Sequence, residues 1–172
     1  MAQELNLKIN HIVAESTNIL STNFGGGHIY SIAISEDMDN GLLVARADYA
    51  ANEYEDEVWN AKAYAAGDEA LLLLNPPLLP MTELRGYNTE DKFYNAAGDR
   101  VRAYTLRVGD RITLSENAFD KAPAEKQYVT YDAAAKNYVV SDAKTEGQFC
   151  AQVLTKIYRT NMMMYKIQVV SL

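Results

Sequence analysis

The sequence predicts a mostly β fold, an antiparallel sandwich or barrel with an extended N-terminal arm and little helix. Three observations support this prediction. Short runs rich in β-branched and aromatic residues, about eight to ten in number, follow one another along the 172 residues. Gly, Asp, Asn and Pro separate these runs, which is typical of turns. The apolar period of 3.6 residues that would indicate helices is hard to find. Together these patterns favour an all-β domain.

The first 27 residues differ from the rest and are predicted to form an arm with a glycine hinge. Leu5, Leu7 and Ile9 alternate with polar residues, which is typical of a strand with one apolar face. Three successive glycines then follow Phe24, and glycine gives a chain conformational freedom. The pattern leaves two structures open. The segment either lies across a neighbouring subunit and adds a strand to its edge, or forms the first strand of this domain's own sheet.

Residues 28–172 are predicted to form a single β-rich domain. Its strand candidates, in chain order, are residues 28–35, 42–47, 57–64, 70–74, 101–107, 111–115, 128–131, 138–141, 148–158 and 162–170. The sequence Asp39-Asn-Gly41 predicts a hairpin turn between the first two candidates, and short polar links predict hairpins for the last two pairs.

Three prolines mark a connector within this domain. Pro76, Pro77 and Pro80 cannot donate to a sheet ladder and favour a stiff, extended chain. This leaves open a division of the domain into two lobes near residues 75–86. Residues 81–95 or 116–126 are the places where one short helix could form.

Composition and charge exclude several classes of protein. The net charge of -7 argues against nucleic acid or an anionic membrane surface as the main partner. Residues 1–86 have a net charge of -9 and residues 87–172 a net charge of +2. No apolar run is long enough to span a membrane, and the first residues lack the features of a signal peptide, so we expect a soluble, non-exported protein.

No residue pattern predicts a catalytic, cofactor-binding or metal-binding site, and we expect a protein that is not an enzyme. His11 and His28 lack the spacing of metal ligands, and no serine stands in a nucleophile elbow. The single Cys150 excludes a disulfide framework and lies in an apolar strand, as expected of a buried, inert thiol. Twelve tyrosines against four phenylalanines favour a protein that works by surface contact.

Two parts of the chain resemble the head decoration, or cement, proteins of tailed bacteriophages. They are residues 5–12 together with Phe24-Gly-Gly-Gly-His-Ile-Tyr30, and the β segment over residues 101–114. The resemblance implies a non-enzymatic structural protein on the exterior of the virion capsid, made in the host cytoplasm and without cofactors. Its partners would be the major capsid protein and further copies of itself, because such families generally work as oligomers, often trimers. The implied capsid or subunit interface consists of Leu5, Leu7, Ile9, Ile12 and Phe24.

Two other classes remain as alternatives to a decoration protein. One is a connector or tail component of a virion, which would assemble with a fixed ring stoichiometry. The other is a carbohydrate-binding β-sandwich, in which Tyr128, Tyr131 and Tyr138 would form an exposed row that stacks on sugar rings.

Overall fold

A computed structural model of the chain describes residues 10–23, 27–50, 57–77, 90–159 and 162–172. Within these ranges the fold is mostly β, which confirms the predicted class. The strands are β1 (Ala14–Asn18), β2 (Ile29–Ala33), β3 (Leu43–Tyr49), β4 (Val58–Ala63), β5 (Leu71–Leu73), β6 (Arg100–Thr105), β7 (Arg111–Ser115), β8 (Tyr128–Asp132), β9 (Asn137–Ser141), β10 (Cys150–Arg159) and β11 (Met162–Ser171).

Helix is confined to single turns in the part of the chain that the structure describes. Three 3-10 helices of three residues each span Leu20–Thr22, Glu90–Lys92 and Glu116–Ala118. The last two lie in the two regions where the sequence allows a short helix. Over the described ranges, the structure contains no helix of the length and apolarity that a membrane crossing requires.

Strands β2 to β6 close into a five-stranded barrel in the order β2-β4-β3-β5-β6. Its pairs are antiparallel except β2 with β4, which run parallel. The predicted hairpin through Asp39-Asn-Gly41 is therefore wrong, because β4 lies between β2 and β3. Turn residues mark where a strand ends, but the choice of the neighbouring strand depends on long-range packing.

The remaining strands form a six-stranded antiparallel sheet in the order β1-β7-β11-β10-β8-β9. Both hairpins predicted in this half of the chain are present, β8 with β9 and β10 with β11. The sheet covers one side of the barrel. Leu43 and Leu72 are opposite each other on the barrel's outer face, yet both are fully buried. One hydrophobic cluster runs through the barrel interior and the layer between barrel and sheet.

The described part of the predicted arm, residues 10–23, belongs to the sheet of its own chain. Strand β1 pairs with β7, and the backbone N–H of Val13 donates to the Ser115 hydroxyl at 2.9 Å. Ile12 is 7% exposed and belongs to the core. The side chain of Ile12, one of the predicted interface residues, therefore packs largely inside the fold. The other predicted interface residues, Leu5, Leu7, Ile9 and Phe24, lie outside the described residues.

Candidate functional site

A cluster of one arginine and three aromatic side chains lies at one end of the barrel, where β2, β4 and β5 begin and β3 and β6 end. We call it the Trp59 end. Directly opposed residues of paired strands share a face. Tyr30 is opposite the buried Ala103, and Trp59 is opposite the buried Ile32. Arg46 is opposite Ala61, which is two residues from Trp59. Tyr30, Arg46 and Trp59 therefore lie on the barrel's inner side.

Arg46 lies between two aromatic rings at this end. Its guanidinium carbon is 4.7 Å from the ring centroid of Tyr30 and 4.4 Å from that of Trp59. Arg46 Nη2 is 3.8 Å from Glu69 Oε2, and the hydroxyl of Thr105 donates to Glu69 Oε1 at 3.2 Å. Both charged side chains keep about a third of their surface in contact with solvent. The cation inside the barrel is thus balanced by a carboxylate and held by ring faces.

Trp59 and Tyr49 extend this aromatic group to the surface. A bulge in β3 after Arg46 brings Tyr49 opposite Trp59, and the two rings meet edge to face with centroids 5.2 Å apart. Tyr49 is half exposed. Trp59 Nε1 is buried without a hydrogen-bond partner in the described structure. An indole N–H is a donor only, and a buried donor without an acceptor is uncommon in folded proteins.

Exposed aliphatic side chains collect at the same end. The Asp110 carboxylate accepts the backbone N–H groups of Leu20 at 2.9 Å and of Arg107 at 2.8 Å. The Ser21 hydroxyl donates to the carbonyl of Thr105, the last residue of β6. These bonds place the exposed side chains of Leu20 and Val108 beside the start of β2, where Ile29 is also exposed. Leu20, Ile29, Tyr49 and Val108 are four of the seven large exposed apolar side chains in the described ranges.

The barrel is also the acidic part of the molecule. Residues 28–105 contain 6 Lys and Arg against 14 Asp and Glu, a net charge of -8, whereas residues 106–172 have a net charge of +2. The charge asymmetry between the halves of the sequence therefore follows the division into barrel and sheet. An apolar centre on an acidic barrel is complementary to a partner surface with basic groups around an apolar centre.

The tyrosines named for carbohydrate stacking do not form an exposed row. Tyr138 is completely buried, and its hydroxyl donates to the Gly41 carbonyl at 2.6 Å. Its ring packs against Tyr131 and Phe149, with centroids 5.2 and 5.7 Å apart. This corrects the expectation of an exposed row, because Tyr131 and Tyr138 pack in the layer between sheet and barrel, whereas the half-buried Tyr128 lies on the opposite face of β8.

The structure keeps the other candidate residues apart. His28 stacks on Tyr30 at the Trp59 end, whereas His11 Nδ1 lies 2.8 Å from Asp39 Oδ1 beside the start of the sheet. Cys150 is a buried free thiol. Across the described ranges there is no group of three or more His, Cys, Asp or Glu side chains suited to hold a metal ion.

Sequence reasoning did not identify Arg46 or Trp59. A usable signal was present, because Arg46 follows Val44 at a spacing of two and so lies on the apolar face of its predicted strand. A cation on such a face indicates either a strand end or a site. Comparison of the chain with family models, with curated proteins and with solved structures gives no match.

Replacing Arg46 by alanine is expected to lower the free energy of unfolding by about 2 to 3 kcal/mol, because it removes the packing between two rings and leaves Glu69 without its cation. Arg102 on the outer face of β6 is the matched control, since it is exposed and opposite Ser31. Arg102→Ala should change stability by less than about 0.5 kcal/mol. Equal losses in denaturant titrations of the two variants would contradict the role given to Arg46.

Proposed function

We propose that this chain is a non-enzymatic structural protein of a tailed-phage virion, which binds the outer surface of the capsid through its Trp59 end and stabilises the shell. The observation that carries the proposal is the clustering of exposed Leu20, Ile29, Tyr49 and Val108 at one end of the barrel. Trp, Tyr and Arg are the residues most enriched at the energetic centres of protein interfaces, and Arg46 stacks on Trp59 at the same end of the barrel.

The partner, the major capsid protein, follows from the resemblance of residues 5–12, 24–30 and 101–114 to decoration proteins. The stabilisation would come from buried area alone. A standard interface buries about 1,600 Å², and repeating it over many sites would resist the outward pressure of packaged DNA without any chemical step. The acidic barrel is consistent with a position outside the shell, away from nucleic acid.

Val108→Asp tests the proposal. Val108 is 64% exposed, so a charge there is tolerated by the fold, but it would be buried without a partner in the interface. We expect co-sedimentation with purified capsids to weaken by at least tenfold. Tyr158→Asp is the matched control, because Tyr158 is an exposed apolar residue of the β10–β11 hairpin and not of the Trp59 end. Capsid binding by Val108→Asp equal to that of the unchanged protein would refute the assignment of this face.

A carbohydrate-binding role is a second candidate for the same end. The half-exposed Tyr49 ring, which meets Trp59 edge to face, favours it, since an exposed aromatic face suits stacking on a sugar ring. A glycan titration in which Tyr49→Ala abolishes binding would support this role, whereas capsid binding that survives Tyr49→Ala and fails with Val108→Asp would oppose it. A connector or tail role would show itself as a fixed ring stoichiometry.

A further inference from the structure

Strand β1 is an edge strand among the described residues. The backbone N–H and C=O groups on its outer side have no strand partner within those residues. The backbone N–H of Ser115 donates to the Val13 carbonyl at 2.9 Å, so Val13 faces β7. Hydrogen-bonding direction alternates along an antiparallel strand. The N–H and C=O groups of Ala14 and Ser16 therefore face away from β7. Such groups are a template for the addition of another strand.

A groove of about 450 Å³ runs along this outer side. Ala14 and Ser16 line one side of it, and Glu90 brings negative charge to it, whereas the carboxylate of Glu15 is ion-paired with the guanidinium of Arg159. The apolar part of the lining consists of Ile12, Leu74, Pro76, Pro77, Phe93 and Tyr104. The groove thus offers backbone groups on one side, apolar surface within it, and the carboxylate of Glu90.

We propose that this groove binds residues 5–9 of a second copy of the chain as an added strand. The segment Leu5-Asn-Leu-Lys-Ile9 alternates apolar and polar residues, so Leu5, Leu7 and Ile9 share one face that suits the apolar lining. Lys8 lies on the opposite face, and its positive charge complements the carboxylate of Glu90. Both the pattern and the charge of the segment match the groove.

The bound segment must come from a second copy, because the chain between Ile9 and Ala14 is too short for residues 5–9 to turn back and pair with β1 of the same molecule. Only four residues separate Ile9 from Ala14. The N–H of His11 donates to the Asp91 carbonyl, that of Ile12 to Asp39 Oδ2, and that of Val13 to the Ser115 hydroxyl, each at 2.9 Å. Three of the four residues are thus held along the body, which leaves Asn10 alone for a reversal of direction.

Sedimentation velocity of the full chain, without capsids, tests whether the groove of one copy binds residues 5–9 of another. We expect concentration-dependent self-association, weakened at least tenfold by Leu7→Asp. Ser16→Pro removes only the N–H that faces the groove and should weaken association similarly, whereas Ser16→Ala keeps that N–H and should not. Leu7→Asn removes the apolar side chain without adding a charge and should weaken association as well, whereas Asn6→Ala, on the polar face of the same segment, should not. Circular dichroism checks that each variant is folded.

A mixture of the Leu7→Asp and Ser16→Pro variants distinguishes binding of the segment in the groove from other modes of self-association. The Leu7→Asp protein retains an intact groove, and the Ser16→Pro protein retains an intact segment, so the mixture should form a complex that neither forms alone. A full chain that stays monomeric, association unaffected by Leu7→Asp, or a mixture without a complex would each overturn the proposal. Since no capsid is present, this result is independent of whether the Trp59 end binds a shell.

Discussion

Gly41→Ala is expected to lower the free energy of unfolding by about 2 to 5 kcal/mol. Gly41 has φ of +86°, a conformation that costs an L-residue roughly 1 to 2 kcal/mol. An added Cβ would lie 2.7 Å from Leu114 Cδ2 and 2.9 Å from Ala14 Cβ, so β1 and β7 would have to shift. Overpacking of this kind costs about 1 to 3 kcal/mol. The position joins barrel and sheet, because the Gly41 carbonyl also accepts the Tyr138 hydroxyl.

Gly67→Ala is the matched control for this prediction. Gly67 has nearly the same φ, +89°, but nothing lies within 4 Å of a Cβ added there. It should show the backbone cost alone, about 1 to 2 kcal/mol. The difference between the two variants in guanidinium titrations then measures the close packing at Gly41. Equal losses for Gly41→Ala and Gly67→Ala would show that the contact with Leu114 and Ala14 relaxes without cost.

The second large effect is a steep loss of stability above about pH 10. Burial raises the pKa of Tyr64, Tyr131 and Tyr138 above the ordinary tyrosine value. Burial and then the hydrogen bond to the Glu116 carboxylate, at 2.9 Å, raise the pKa of Tyr165. In the unfolded chain these phenols would lose their protons near pH 10.

Proton linkage determines whether stability rises or falls with pH. Because the folded-state pKa values lie above the unfolded ones, the stabilisation is complete below about pH 10 and declines as the pH rises towards the folded-state values. Above pH 10 the unfolded chain binds fewer protons than the folded one, by up to one for each of the four phenols. Each contributes at most about 1.4 kcal/mol per pH unit, so the four together approach about 5 kcal/mol per unit. A domain of ordinary stability would unfold within one to three pH units.

Phenolate absorbance followed together with circular dichroism checks this prediction. Tyr64, Tyr131, Tyr138 and Tyr165 should titrate in one cooperative step that coincides with unfolding. Tyr165→Phe should remove amplitude from this step. Smooth titration of all tyrosines with the fold intact would contradict the burial of these hydroxyls.

Several strands could be predicted closely from local sequence. Residues 111–115 form β7 as expected, and residues 128–131 and 138–141 form β8 and β9 with one additional residue each. These strands contain β-branched and aromatic residues and are bounded by turn residues, and both signals are local. The two C-terminal hairpins were predictable for a similar reason, because a short link favours antiparallel pairing of the two strands that it joins.

Strand β1 illustrates what local sequence does not reveal. Its residues, Ala-Glu-Ser-Thr-Asn, have no apolar alternation and low strand propensity. The segment is extended because β7 offers it an edge and because Ile12, Val13 and Ile19 on either side of it are buried. Tertiary contacts thus override the low strand propensity, and no pattern within residues 14–18 predicts the strand.

Local sequence is sufficient to predict that this protein is mostly β, where most strands begin and end, and which half of the chain is acidic. Which strands are neighbours depends on long-range packing, which only the folded structure reveals. This packing places Arg46 between Tyr30 and Trp59 and buries Ile12 in the core, whereas Leu20, Ile29 and Val108 stay exposed. The physical reason is that backbone pairing has nearly the same energy for any two strands, so the packing of the whole core selects among them.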